Sequence, residues 1–352
     1  MSAFDLIAVH AQVSRLAWVD YAKGLCIVMV VMMHSTLDYG IAVSSEGWLH
    51  HLVAFARPFR MPGFFLLAGI FLSRSINSPL RDYVDRKLVH FFYFYLLWLV
   101  IHLSITESGL LLQNPVEFLG VFAYAWIEPV NTLWFVHMLA IFYMMTRLLR
   151  RAPRMLILLL AGSLQIAFSL GWINTGWSLS NRFFTYYVYF FAGYALAPWI
   201  FTFARSIPAR PRHALLGLVL WAVLNAVFTI TSSDSAPGVS LLLGFAGAAA
   251  IVTAGSLLSM QSWTYWLRYC GANSIVIYLS FFLPMKVALI LLSYSGAVPD
   301  VGTASVLITV VAVLSPLLFH WVIKDTWGKF LYERPPSWRL HGMVRSGLRH
   351  QD

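Results

Sequence analysis

Long apolar runs follow one another along most of this 352-residue chain, each bounded by charged residues, proline or glycine. A helix needs about 20 apolar residues to cross a hydrocarbon layer roughly 30 Å thick. About ten segments qualify, and they centre on residues 18-37, 51-72, 88-105, 131-147, 155-172, 183-201, 214-231, 238-260, 271-292 and 303-323. Backbone groups in lipid must be hydrogen-bonded within the protein, so we expect each run to be helical. The fold class is therefore predicted to be all-α, a polytopic membrane protein with about ten transmembrane helices.

The composition agrees with this prediction. Hydrophobic residues make up 60% of the chain and charged residues 11%, whereas about 25% of residues are charged in soluble domains. The formal net charge of +10 does not indicate nucleic-acid binding, because basic residues in a membrane protein mainly set its orientation. We therefore expect a lipid bilayer, and no nucleic acid, as a partner.

The connections between the predicted spans are short, apart from residues 106-130, where we expect a short interfacial helix from about Phe118 to Trp126. None is long enough for a separate soluble domain, so any active site must lie within the bundle or at its ends. No segment typical of a cleaved signal peptide precedes the first span, and we expect the first helix to direct the chain to the membrane. The predicted division is a cytoplasmic N-terminal segment (1-17), a transmembrane domain (18-323) and a basic cytoplasmic tail (324-352).

Basic residues occur in alternate connections. Those after even-numbered spans and in the tail carry Arg74, Arg81, Arg86, Lys87, Arg147, Arg150, Arg151, Arg154, Arg205, Arg210, Arg212, Arg268, Lys324, Lys329, Arg334, Arg339, Arg345 and Arg349. Connections after odd-numbered spans carry one basic residue, Arg182, against several carboxylates. Because cytoplasmic loops collect lysine and arginine, this pattern predicts that both termini are cytoplasmic.

The first predicted helix carries Lys23 and, eleven residues later, His34. At about 100° per residue the two side chains leave the helix on one face, roughly 16 Å apart along its axis. An ionisable group within a span by default faces the protein interior or a water-filled cavity and marks a functional site. The alternative is that Lys23 reaches the membrane interface, paired locally with Asp20, while His34 packs between helices.

The second predicted span is interrupted at Ala56-Arg57-Pro58-Phe59-Arg60-Met61-Pro62-Gly63. Irregular backbone inside a membrane is tolerated where it is buried in protein or lines a cavity. Two guanidinium groups at such a break would form an anion site, since arginine presents a rigid fork to carboxylate or phosphate. Alternatively, both arginines extend outward to the membrane interface.

Several motifs occur in a fixed order. They are Asp20-Tyr-Ala-Lys23-x10-His34, Phe59-Arg60-Met61-Pro62-Gly-Phe-Phe, Arg81-Asp-Tyr-Val-Asp-Arg86-Lys87, Asn131-Thr-Leu-Trp134-Phe135 and Gly271-Ala-Asn273-Ser-Ile-Val-Ile-Tyr278. The ordered set, from about residue 15 to residue 323, resembles the integral-membrane acyltransferase family three, which includes O-antigen and fucose O-acetylases. Two features depart from the family. Many relatives have histidine where Arg60 stands and another shortly after the late tyrosine, where this chain has Ser280-Phe281-Phe282. These departures leave two alternatives open: an acceptor side that works differently from that of the sugar O-acetylases, or a different acceptor class.

The resemblance implies transfer of an acyl group, usually acetyl, from cytoplasmic acetyl-CoA to a hydroxyl of an extracytoplasmic or lipid-linked glycan. Such an enzyme modifies polysaccharide by O-acetylation in the bacterial inner membrane. Acyl-CoA is the donor substrate and a glycan or glycolipid the acceptor, and we expect no bound cofactor.

The chemistry of the residues suggests their roles. Neutral imidazole accepts a proton near neutral pH, so His34 is expected to act as a general base, with a covalent acyl-histidine as the alternative. Lys23 and Arg60 complete the predicted catalytic set. Lys23 is expected to steer the donor phosphates, and Arg60, with Arg57, to polarise the acyl carbonyl or to hold an anionic acceptor. Asp20 is expected to orient Lys23. The predicted substrate-binding residues are Arg57, Arg86, Lys87, Trp134 and Asn273.

Other functions remain open. A transporter or flippase for an anionic solute or glycolipid would also use buried charges, but transporters often have paired broken helices. Here one span is strongly broken, and Pro284 gives only a weak counterpart. An inactive relative serving as a subunit is a further alternative. We expect no metal site, because His50 and His51 have no third ligand and the two cysteines lack ligand spacing.

Overall fold

The computed structural model describes residues 3–129 and 131–340. All regular secondary structure in these residues is helical, which confirms the predicted all-α class. The helices are α1 Ala3–Val43, α2 Leu49–Ala56, α3 Arg60–Ile70, α4 Leu80–Tyr83, α5 His90–Thr106, α6 Ser108–Gln113, α7 Pro115–Tyr124, α8 Trp134–Leu148, α9 Arg154–Ser169, α10 Ser178–Ala195, α11 Ala197–Ser206, α12 Pro211–Ile230, α13 Val239–Leu258, α14 Tyr265–Ala272, α15 Ser274–Ser280, α16 Phe282–Ser295 and α17 Val301–Ile323. A π-helical segment, Val84–Val89, joins α4 to α5.

Each predicted span coincides with a helix or with two consecutive helices. In the described part of the chain, five segments are long and apolar enough to cross a membrane. They are Ala17–Val43, Leu80–Thr106, Pro211–Ile230, Val239–Leu258 and Val301–Ile323. Three bent helix pairs raise the number to eight if each pair is one span. The count of ten stays a prediction, since α8 and α9 have 15 and 16 residues, and so does the orientation of the termini.

Helix α1 packs against α3, α13, α14 and α17 and so lies within the bundle. Its closest neighbour is α14, where two glycines allow the backbones to touch. A Cβ on Gly24 would collide with the Leu267 carbonyl, and a Cβ on Gly271 would collide with the Asp20 carbonyl. Small residues permit such close helix contacts in membranes. The helix that carries Lys23 and His34 is thereby held in one position.

Helices α3 and α10 form a second close pair. A Cβ on Gly69 would meet the Phe190 carbonyl, and one on Gly193 would meet the Leu66 carbonyl. Close packing here sets the start of α3 beside the first half of α10. Arg60, the first residue of α3, therefore lies near the α10 side chains described below.

The predicted interruption of the second span is confirmed. Helices α2 and α3 meet at 47° across Arg57, Pro58 and Phe59. Asn225 of α12 donates a hydrogen bond from Nδ2 to the Phe55 carbonyl at 2.8 Å, which provides a partner for a backbone acceptor at the break. Buried polar backbone requires such partners.

Two further bends were not anticipated as strong breaks. Helices α10 and α11 meet at 74°, and α15 and α16 meet at 55°. Pro198 lies in the first turn of α11 and Pro284 in the first turn of α16, where the missing proline N–H is best tolerated. The count of one strong break from the sequence was therefore too low.

The connection after α5 holds two short helices, α6 and α7, which confirms the expected helix near Phe118. The Asn114 side chain accepts a hydrogen bond from the Glu117 N–H and caps α7. An asparagine cap followed by proline at the first helical position is a strong local start signal.

The segment after α17 folds back onto the bundle. Tyr93 of α5 donates to the Phe330 carbonyl at 2.9 Å, and Trp98 donates to the Leu331 carbonyl at 3.0 Å. Arg334 is buried and forms an ion pair with Asp85, Nη2 to Oδ2, at 2.6 Å. The described part of the predicted tail is thus packed against α5, while Arg345 and Arg349 lie outside the described residues.

Candidate active site

His34 lies half-buried on α1, and its ring is 5.5 Å from the ring of Phe281 at the bend between α15 and α16. The charged groups that interact with it electrostatically are Asp38, Arg60 and Lys286. No residue in the described part of the chain forms a hydrogen bond with the imidazole. The fold therefore places His34 and Arg60, from separate helices, close enough to interact electrostatically, and the imidazole stays half-buried.

Arg60 is 8% exposed, and its Nε and Nη1 atoms are buried without a hydrogen-bond partner in residues 3–129 and 131–340. Its electrostatic neighbours are Tyr186 and Arg57. A buried charged donor without an acceptor is unfavourable and needs an explanation. Since Arg60 does not extend to the surface, the arrangement suits binding of an anion or of an oxygen that becomes negative during a reaction.

Arg57 has quite different surroundings, although it is only three residues away. Its side chain is 58% exposed and forms an ion pair with Asp234, whose side chain is 3% exposed. This pair connects the break in the second span to the connection between α12 and α13. The guanidinium fork of Arg57 is thus already engaged by a carboxylate, and its predicted contact with substrate stays a prediction.

A second ion pair lies near His34. Lys286 of α16 donates from Nζ to Asp38 Oδ2 at 2.8 Å. Asp38 is four residues beyond His34 and so on the same face of α1. Lys286 thus connects α16 to α1. The spacing of His34 and Asp38 predicts their shared face, but not the pairing of Asp38 with a residue of α16.

Trp134 contributes to an aromatic and cationic group beside Arg60. Its ring stacks on Tyr186 of α10 at 5.7 Å, and the Cζ of Arg182 lies 4.8 Å from its centroid. His137 is stacked on Tyr95 and interacts electrostatically with Arg182. Arg182 was not among the predicted site residues. The feature of the sequence that distinguishes it is its place as the one basic residue in the connections after odd-numbered predicted spans.

Tyr278 joins two of the sequence motifs. Its hydroxyl donates to the Thr132 carbonyl and accepts a hydrogen bond from the Phe135 N–H. The late helix thereby fixes the start of α8, on which Trp134 lies. Asn273, from the same motif, instead donates to the Tyr269 carbonyl at 2.9 Å within its own segment.

A basic cluster, defined as Lys23, Arg74 and Lys87, lies at the opposite end of this part of α1. Lys23 Nζ and Arg74 Cζ are 5.7 and 5.8 Å from the centroid of Phe71. Lys87 Nζ is 4.7 Å from the centroid of Tyr143, and Lys87 interacts electrostatically with Lys23. None of the three forms an ion pair in the described residues. This cluster suits a polyanion, and its Arg74 was not singled out from the sequence.

Two other predicted site residues, Arg86 and Asp20, lie beside the basic cluster. Arg86 is exposed and interacts electrostatically with Lys87. Asp20 lies 3.8 Å from Arg268, Oδ2 to Nε, and also interacts electrostatically with Lys23. The charges of Asp20 and Lys23 thus interact, as considered from the sequence, although no ion pair within 4 Å joins them in the described residues. Arg86 and Lys87 both lie in the π-helical segment, a local geometry that is frequent at functional sites.

A cavity with a volume of about 710 Å³ lies elsewhere, between α11, α12 and α13. Its lining includes Arg210, His213 and Trp221 but none of the residues around His34. In the described residues, no three His, Cys, Asp or Glu side chains are grouped as metal ligands would be.

Comparison with known proteins agrees with the order of the motifs. A family model described as "Acyltransferase domain" matches residues 16–325. The chain is also similar to the inner membrane protein YcfT of Escherichia coli (strain K12), with 24% identity over 288 residues that cover 74% of this chain and 77% of that protein. No solved structure matches the chain.

Proposed function

The chain belongs to this acyltransferase family, and on that premise we propose that it moves an acyl group, in the first instance acetyl, from acyl-CoA to a hydroxyl of an extracytoplasmic or lipid-linked carbohydrate. The observation that carries the proposal is the electrostatic interaction of a half-buried imidazole, His34, with a buried and unpaired guanidinium, Arg60. A base and an oxyanion donor are what acyl transfer requires. The inner-membrane location of YcfT supports the same location for this protein.

In the proposed reaction His34 takes the proton of the acceptor hydroxyl as its oxygen attacks the thioester carbon. The carbonyl oxygen becomes negative, and the Nε and Nη1 groups of Arg60 stabilise it. The carbon–sulfur bond then breaks, and the proton on His34 passes to the departing thiolate. The products are the acylated acceptor and free coenzyme A.

The donor phosphates are proposed to bind at the basic cluster of Lys23, Arg74 and Lys87, with Arg86 beside it. Phosphate oxygens accept charge-assisted hydrogen bonds from such groups. The cluster and His34 are separated by roughly 16 Å along α1, a distance of the order that an extended pantetheine arm covers. On this proposal the cluster faces the cytoplasm, so that the thioester reaches His34 from that side.

A transporter or flippase of an anionic solute or glycolipid is the second candidate. The three bent helix pairs favour it, because transporters place broken helices around a site within the membrane. In that reading Arg60 would bind cargo and His34 would have no chemical role.

The test is release of coenzyme A by purified protein in nanodiscs supplied with acetyl-CoA and a glycolipid extract. We expect His34→Ala to lower turnover by about 10²- to 10⁴-fold, the usual contribution of a general base, with an unchanged Tm. A variant of the exposed Arg205, Arg205→Gln, is the matched control and should retain turnover. Absence of turnover in the wild type with any acyl-CoA, together with saturable solute binding that needs Arg60, would favour the transporter.

A further inference from the structure

A second guanidinium, that of Arg182, lies beside the proposed reaction site. Its Nη1 atom is buried and has no hydrogen-bond partner in the described residues. Arg182 and Arg60 both interact electrostatically with Tyr186, which stacks on Trp134. The two guanidinium groups are therefore arranged around one pair of stacked aromatic rings.

The surroundings of Arg182 contain too few acceptors for its donors. Glu128 interacts with it electrostatically, but no ion pair within 4 Å joins them. His137, the other titratable neighbour on α8, has a buried Nδ1 without a partner. Buried donors in folded proteins are normally satisfied, and a cluster of unsatisfied ones points to a ligand.

The proposed acyl transfer already uses one of the two guanidinium groups, that of Arg60. Acyl transfer develops a single negative charge on the former carbonyl oxygen, and Arg60 suffices to stabilise it. Arg182 is in addition the one basic residue in the connections after odd-numbered predicted spans, where lysine and arginine are disfavoured. The sequence and the contacts thus indicate independently that Arg182 has a specific role.

We propose that Arg182, held against the Trp134 ring, binds a carboxylate or phosphate group of the acceptor, so that the substrate class is an anionic carbohydrate or glycolipid. This inference rests on the proposed acyl transfer. Arg182, Trp134, Tyr186 and His137 are all half-buried, and a ligand can therefore reach them. The guanidinium fork supplies paired donors for either type of anion.

The test compares paired acceptors in which an anionic group replaces one hydroxymethyl or hydroxyl group, using protein in phosphatidylcholine nanodiscs with acetyl-CoA. The pairs are methyl glucuronide with methyl glucoside, and glycerol 3-phosphate with glycerol. Acetylated product is measured by mass spectrometry as a function of acceptor concentration. We expect at least one anionic acceptor to have a KM about tenfold or more below that of its neutral partner, as for one charge-assisted contact. Preference within the first pair identifies a carboxylate, and preference within the second a phosphate.

Variants of Arg182 assign that preference to the residue. Arg182→Gln should remove the difference between charged and neutral acceptors, while the KM for acetyl-CoA stays unchanged. Arg182→Lys should retain part of the preference, and Arg205→Gln should retain all of it. Equal KM values within both pairs, or a preference that survives in Arg182→Gln, would overturn the proposal.

Failure of the acyl transfer itself gives a different result. If the wild type releases no coenzyme A, binding of the same four compounds is measured by calorimetry. If an anionic compound binds to the wild type but not to Arg182→Gln, the anion site is supported and the proposed acyl transfer is rejected. Absence of binding by the wild type overturns the anion site as well.

Discussion

Arg57 donates two hydrogen bonds to Asp234, from Nε to Oδ2 at 2.9 Å and from Nη2 to Oδ1 at 2.8 Å. This bidentate pair joins the broken second span to the connection before α13. Arg60, one turn further along the chain, is buried and its Nε and Nη1 atoms have no partner in the described residues. Two arginines of one motif therefore differ in their surroundings: the guanidinium of Arg57 is engaged by a carboxylate, and that of Arg60 retains unpaired donors.

Substitution of these two arginines should have opposite effects. We expect Arg57→Gln to destabilise the protein by about 1.5–3 kcal/mol, the usual contribution of hydrogen bonds to a charged group, with turnover per folded molecule largely kept. Arg60→Met should leave Tm unchanged or raise it, because it removes an unpaired buried charge, and should lower kcat by about 10²- to 10³-fold. Thermal unfolding and coenzyme A release are measured on the same preparations. Retained kcat in Arg60→Met would show that Arg60 does not stabilise the transition state.

The basic cluster is predicted to bind the phosphates of the donor. Lys87→Met and Lys23→Met should each raise the KM for acetyl-CoA by about tenfold to a hundredfold, as for the loss of one charge-assisted contact. S-acetylpantetheine, which lacks the phosphates, is the matched donor. Its rate should be low with the wild type and unaffected by either substitution. An equal loss with both donors would place the two lysines in a structural role.

The ion pair between Arg334 and Asp85 is predicted to hold the segment after α17 on the bundle. Both side chains are nearly buried, and removal of one member of a buried pair costs about 3–5 kcal/mol. We expect Arg334→Gln to lower Tm by roughly 5 °C or more. The double variant with Asp85→Asn should be less destabilised than the sum of the single variants, because it leaves no carboxylate without its guanidinium. Additive losses would indicate that the pair contributes little.

Asp300 should make stability depend on pH at the acidic end. Hydrogen bonds from the side chain and backbone of Thr303 hold the pKa of the Asp300 carboxyl below its usual value. A depressed pKa in the folded state means that the contribution is complete above the unfolded pKa of about 4 and is lost as pH falls through the folded value. The difference in Tm between the wild type and Asp300→Asn should therefore shrink below about pH 4. A constant difference across that range would contradict the prediction.

Much of the fold follows from local patterns in the sequence. The apolar runs predict where helices lie, because each apolar segment buried in lipid or protein must satisfy its own backbone hydrogen bonds. Proline and arginine at 57-62 predict the break in the second span, and the structure has it at that position. The bend at Phe281, between α15 and α16, was predicted to be weak, because one proline in a first helical turn, here Pro284, does not by itself require a bend.

The candidate site was predictable only as a set of residues. Lys23 and His34 share a face of α1 by helical periodicity, which needs no tertiary information. The choice between Arg57 and Arg60 was not available from their motif, since the two arginines lie only three residues apart at the same interruption of the span. Their different surroundings depend on Asp234, which is 177 positions from Arg57 along the chain.

The sequence by itself determined that the chain forms apolar helices, where the second of these is interrupted, and that His34 lies among uncharged residues. The tertiary structure alone decided that Arg60 and Lys286 lie near His34, that Tyr278 holds the start of α8, and that Arg182 lies on Trp134. The physical reason is that helix formation depends on neighbours within a few residues. The pairing of charges instead depends on the rotation and crossing of helices that are distant in sequence, which side-chain packing sets.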